Sequence, residues 1–158
     1  MEKLNVKLSA SQKDLIEKLG ITYENTGMSA VAARILALLL VADVPDLTFD
    51  QLRTTLGISK SATSNSLTLL INTGKIEQVS KLGERKRYFR NRVAHWKEDM
   101  KKKNEQTTFL IEILKEVLKL RPKGTKEFNS NLKELIHFVE FIQKELPLLY
   151  KKWEASNR

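Results

Sequence analysis

The stretch Thr48-Phe49-Asp50-Gln51-Leu52-Arg53-Thr54-Thr55-Leu56-Gly57-Ile58-Ser59-Lys60 decides the fold. Thr48 is a good N-cap, and Gln51 three residues later completes a capping box, in which each side chain satisfies an amide of the other residue. A short helix follows and buries Leu52 and Leu56. Gly57 ends it, because glycine takes positive φ without a Cβ clash. Ile58 packs inward, and Ser59 caps a second helix over residues 59–73, which Gly74 closes. Two short helices joined through a tight turn containing Gly are the punctuation of a helix-turn-helix.

Downstream the period changes to two. Residues 75–80 and 87–89 read as strands, and residues 81–86 between them as the loop of a hairpin. A hairpin directly after the second helix of such a motif is a wing. Upstream, residues 29–42 form a helix that is apolar almost all round and therefore central. Asp43-Val44-Pro45-Asp46 stops it, since Pro has no amide hydrogen to continue the ladder. A first helix starts at Ser9, with Gln12 in capping-box spacing; Gly20 weakens it or ends it. From residue 94 long helices return. One covers residues 96–120, with Phe109, Leu110, Ile113, Leu114 and Val117 on one side. The last covers residues 126–154, carries Leu132, Leu135, Ile136, Val139, Ile142 and Leu146, and meets a kink or interruption at Pro147.

The fold class expected is mostly α with a small β-hairpin: a winged helix-turn-helix core with N- and C-terminal dimerisation helices. Its divisions are residues 1–26, 27–93 and 94–158. The last two helices are too long and too apolar to be covered by so small a core, which points to a homodimer.

Composition narrows the function. The 158 residues hold 28 Lys and Arg against 19 Asp and Glu, a net charge of +9, and no Cys. Thiolate metal sites and a Cys nucleophile are excluded, and His95 and His137 are too few for an all-His metal cage. No phosphate-cradling Gly loop, H-E-x-x-H or G-x-S-x-G occurs, so an enzyme is not expected, nor a cofactor. The N-terminus is too polar for a signal peptide, and no apolar run approaches the length that spans a bilayer. A cytoplasmic protein with no membrane partner is the expectation.

The charge is uneven. Residues 49–96 hold nine basic residues against three acidic ones, +6 of the +9. On a helical wheel of residues 59–73, Thr63, Leu67 and Leu70 face the core. Opposite lie Ser61, Asn65, Thr68 and Asn72, with Ser64 at the flank. A face of small, uncharged polar groups can sit deep in a major groove and bond base edges. Ser59, Lys60 and the helix N-terminus suit phosphates. Arg85, Lys86 and Arg87 stand where a wing tip reaches a phosphate ridge or minor groove. The expected DNA contacts are therefore Ser59, Lys60, Ser61, Ser64, Asn65, Thr68, Arg85, Lys86 and Arg87. Two other readings use the same fold: a winged-helix protein-interaction module, or a nucleic-acid-binding protein without sequence specificity.

Residues 27–88 resemble the winged helix-turn-helix of the MarR superfamily, most of all its GbsR-like branch. The resemblance rests on Arg34-Ile35-Leu36-Ala37-Leu38-Leu39-Leu40 as the buried helix, Leu56-Gly57-Ile58-Ser59-Lys60 as the turn into the recognition helix, and Gly83-Glu84-Arg85-Lys86-Arg87-Tyr88 as the wing. The wing carries Glu84-Arg85 where the wider superfamily commonly has Asp-x-Arg. The resemblance implies a homodimeric transcriptional regulator of double-stranded DNA, often a repressor, acting on a pseudo-palindromic operator. It also implies a small-molecule effector, and some relatives in that branch respond to choline or related osmolyte signals.

Overall fold

A computed structural model describes residues 5–156. The ends of the flanking regions expected from the sequence, residues 1–4 and 157–158, lie outside the described residues. The chain forms two compact units that divide between Trp96 and Lys97.

In the first unit, α1 (Ala10–Glu24) opens on the Ser9–Gln12 capping box. It is not ended at Gly20. The residue is buried, and a Cβ there would stand 3.2 Å from Cγ of Arg34 on the next helix. Glycine here allows two helices to approach closely, and the helix formers on either side keep α1 intact to Glu24. Arg34 then ties the pair together, with its guanidinium 2.9 Å from Glu17 and 2.6 Å from Glu24. The second helix, α2 (Ala30–Val41), is the centre of the core. Ala32, Ala33, Ile35, Ala37 and Leu38 have no accessible surface. Its alanines let neighbours pack against the backbone while its large residues fill the space between elements.

Thr48 has two tasks. It closes β1 (Leu47–Thr48) and caps α3 (Phe49–Leu56), whose capping box with Gln51 is formed in both directions. Gly57 stands at φ +64° and hands the chain to α4 (Lys60–Asn72), capped by Ser59. A Cβ at Gly57 would meet nothing within 4 Å, so the position demands glycine for its backbone alone. Gly57→Ala is expected to lower stability by about 1 kcal/mol, the cost of the left-handed conformation for an L-residue. The midpoint of urea unfolding checks this.

After α4 come β2 (Ile76–Val79) and β3 (Tyr88–Asn91). The sheet has three antiparallel strands in the order β1-β3-β2, with Phe89 opposite Leu47 on one side and Gln78 on the other. The expected hairpin is thus extended by a strand, β1, that sequence periodicity did not reveal. Two residues are too few to show alternation. This strand exists because the free edge of β3 offers backbone groups that need partners. It also places Leu47 and Phe89, both buried, in the core beneath α2. A single turn of 3-10 helix, Arg92–His95, ends the unit.

The second unit is a pair of helices, α5 (Trp96–Leu120) and α6 (Lys126–Ser156). Helix α6 runs through Pro147 without interruption. The two pack through Ile111, Leu114 and Leu118 against Leu132, Ile136 and Val139. The Lys115 ammonium bridges Glu112 at 2.8 Å and Glu140 at 2.6 Å, which pushes its pKa up to about 12. Of the side of α5 expected to be apolar, Leu114 closes this contact, whereas Phe109, Leu110, Ile113 and Val117 do not. Those four are exposed, as are Leu135, Phe138, Ile142 and Leu149 on α6. Each helix therefore carries a second apolar stripe besides the one it uses within the hairpin.

Candidate nucleic-acid interface

Helix α4 divides as its wheel implies. Thr63, Ser66, Leu67 and Leu70 are buried, and Thr63 donates to the Ser59 carbonyl at 2.8 Å. Ser61, Ser64, Asn65, Thr68 and Asn72 are exposed, with Lys60 at the N-terminal end. The hydroxyl of Ser59 accepts from the Ala62 amide at 3.2 Å and lies 3.2 Å from that of Ser61. Thr68 donates to the Ser64 carbonyl at 3.0 Å. That bond orients the hydroxyl and leaves its oxygen as an acceptor facing out. Leu69 is also exposed on α4. The wheel puts it about 40° from Asn65 on the outer face, although hydropathy alone assigns a helical leucine inward. An apolar group there is suited to a thymine methyl.

The wing tip is a hydrogen-bonded turn, with the Glu84 amide donating to the Lys81 carbonyl at 3.1 Å and Gly83 at φ +81°. Leu82 at the tip is fully exposed, and Arg85, Lys86 and Arg87 are exposed beside it. The Tyr88 hydroxyl donates to the Glu84 carboxylate.

The electrostatics differ from a simple count of the seven basic residues between 75 and 92. Arg90 on β3 lies 2.6 Å from Asp46, and Lys81 lies 3.4 Å from the same carboxylate. Arg92 is 3.6 Å from Glu77, and His95 is 3.5 Å from it. The Arg90 guanidinium, with desolvation opposing and Lys81 assisting, holds the Asp46 carboxyl below the usual carboxylate range. Lys81, Arg90 and Arg92 are thus each paired within the fold, although Asp46 brings one negative charge against the two positive charges of Lys81 and Arg90. Asp46, which the sequence marked only as part of a helix stop, is a structural partner of the wing. Arg85, Lys86 and Arg87 are exposed at the wing tip, and Lys75 is exposed at the base of the hairpin.

Among the described residues no group of three or more His, Cys, Asp or Glu is placed to hold a metal ion, and no helix is long and apolar enough to cross a membrane. The helical unit contains a cavity of about 420 Å³ bordered by Lys97, Lys101, Leu146, Pro147 and Tyr150.

A helix-turn-helix followed by a basic hairpin, with a third short strand bracing it, defines a winged-helix protein. Residues 95–156 match the family described as MmpR5-like MarR family transcriptional regulator. The chain is 33% identical over 79 residues to the HTH-type transcriptional regulator MmpR5 of Mycobacterium tuberculosis, a match covering 50% of this chain and 48% of that protein. It spans about half the length of the curated relative it matches. A solved structure of a transcriptional regulator, 21% identical, superposes with a TM-score of 0.75 over 92% of this chain and 99% of its own. The chain has a winged-helix fold and is similar to these transcriptional regulators. The family matched is one of transcriptional regulators and not a class of enzymes. That match falls on the C-terminal helices, whereas the resemblance visible in the sequence lay on the winged segment.

Proposed function

We propose that this protein is a sequence-specific regulator of transcription that binds double-stranded DNA as a homodimer and acts as a repressor. In this reading α4 enters the major groove and the wing meets the minor groove or the phosphates. The observation that carries it is the pairing of two surfaces in one unit. One is a helix face of Ser61, Ser64, Asn65 and Thr68 with no acid on it; the other is a hairpin tip with three consecutive basic residues. Ordinary solvated helix faces are rich in Glu and Lys, and α4 has one Lys and no acid. Ser59 and Lys60 take phosphates at the helix N-terminus. Within the superfamily the GbsR-like placement rests on the likeness of residues 34–40, 56–60 and 83–88. The dimer forms through residues before 26 and after 96, with the outward apolar stripes of α5 and α6 as its main contact. A small-molecule effector belongs to the same reading, and the cavity of the helical unit offers it space. The cytoplasm is where such a regulator works.

The test is selection of bound sequences from random DNA at stated salt. Enrichment of a pseudo-palindromic site supports the proposal. Binding without enrichment would favour a charge-driven nucleic-acid binder, and no binding would favour a protein-interaction module. On the selected site, Asn65→Ala is expected to cost about 1–3 kcal/mol, the worth of a bidentate base contact. On random DNA it should cost much less. Equal losses on both duplexes would reduce Asn65 to a backbone contact.

A further inference from the structure

We propose that Asp46 is the positioning residue of the wing, holding the hairpin loop through Lys81 and Arg90 so that Arg85, Lys86 and Arg87 are presented to DNA. The proposal rests on the DNA-binding reading above for its consequence, but not for its geometry.

The loop needs such a hold. Ladder pairing between β2 and β3 runs only from Ile76–Asn91 to Val79–Tyr88. Residues 80–87 lie beyond it, and three neighbouring cations there repel one another. An unbraced loop of this kind would sample many conformations, and each would have to be frozen on binding. Asp46 lies outside the hairpin, in the segment between α2 and β1, and its side chain is only 8% exposed. It engages one cation from each side of the loop, Lys81 before the turn and Arg90 after it. The Lys81 ammonium is held a second time, 4.0 Å from the centre of the Tyr88 ring. The Tyr88 hydroxyl in turn holds Glu84, the residue next to Arg85. Arg90, Asp46, Lys81, Tyr88 and Glu84 thus form a connected chain around the base of the loop. Charge-assisted bonds to a buried carboxylate are stronger than pairs on open surface.

Two simple expectations have opposite signs. A carboxylate among the basic residues of a wing lowers the positive potential offered to DNA. If charge alone mattered, neutralising it would tighten binding. If Asp46 braces the wing, neutralising it weakens binding.

The experiment compares wild type with Asp46→Asn, alone and in an Arg85→Ala/Arg87→Ala background, and uses Tyr88→Phe as a second variant. Two readouts are taken. Trypsin cleavage within residues 81–87, without DNA, reports how often the loop opens. The expected result is cleavage about tenfold faster in Asp46→Asn and about threefold faster in Tyr88→Phe, with helical circular dichroism unchanged. Affinity for a duplex is expected to fall about fivefold in Asp46→Asn, and this fall should vanish once Arg85 and Arg87 are gone, as coupled residues require. Unchanged cleavage overturns the proposal. So does binding that stays level or tightens, or a loss that persists in full in the double-alanine background. Should Asp46→Asn fail to fold, Tyr88→Phe, which keeps the buried ring, carries the same comparison. Should the wild type bind no DNA, the regulator reading fails, and the cleavage rates still decide whether Asp46 braces the loop.

Discussion

Phe138→Glu combined with Leu149→Glu is expected to convert the protein into a folded monomer and to weaken binding to a two-half-site duplex by at least about a hundredfold, the usual scale of lost bivalency. The two side chains are 60% and 56% exposed in the single chain. They lie on a stripe with Leu135 and Ile142, whose spacings of three, four and seven residues are those of a helix-pairing seam. Exposed apolar residues are unremarkable singly, but a continuous row of them on a long helix marks an association surface. The contact within the hairpin uses Leu132, Ile136 and Val139 instead, so the substitutions leave it untouched. Sedimentation at micromolar concentration gives the oligomeric state, and circular dichroism verifies the helices. A double variant that remains dimeric places the interface elsewhere. A wild type that sediments as a monomer with and without DNA removes the homodimer altogether.

The wing carries the second large effect. Arg85→Ala with Arg87→Ala is expected to weaken binding to every duplex and to reduce the slope of log affinity against log salt by about 2 per monomer, one for each lost phosphate contact. Binding of cations to DNA releases condensed counterions, which is the origin of that slope. The structure sharpens the choice of residues. Arg90 and Lys81 are both engaged by Asp46, and Arg92 lies against Glu77. Arg90→Ala would therefore test the brace around the loop and not a direct contact with DNA. The measurement is a salt titration on one selected and one random duplex, with sedimentation showing that the dimer persists. An unchanged slope would take the wing out of the DNA interface and favour the protein-interaction module.

Much of the candidate interface could be read from residues alone. Ser61, Ser64, Asn65 and Thr68 share a helix face because 100° per residue places them there, and a helical wheel needs no tertiary information. The same wheel puts Leu69 about 40° from Asn65 on that face, against the inward assignment that hydropathy alone gives a leucine. The count of basic residues on the wing does not show which of them are paired within the fold. The carboxylate that pairs with Arg90 lies 44 residues away in the chain, and no local pattern links them.

The sequence by itself determined what short-range interactions determine. The capping boxes at Ser9 and Thr48, the cap at Ser59 and the glycine turn at position 57 all follow from contacts within about one helical turn. Those contacts form between residues that are neighbours in any conformation of the chain. Only the tertiary structure decided the rest. It made Leu47–Thr48 a strand by giving it the edge of β3, and it carried α1 through Gly20 by bringing Arg34 of α2 against it. It turned Asp46 into the partner of Lys81 and Arg90. It chose which apolar stripe of α5 meets α6 and which faces outward. Both stripes are equally greasy, so hydropathy shows that each must be covered but not by what. That choice requires closing the chain on itself, and the groups that make it are distant in sequence and adjacent only in the fold.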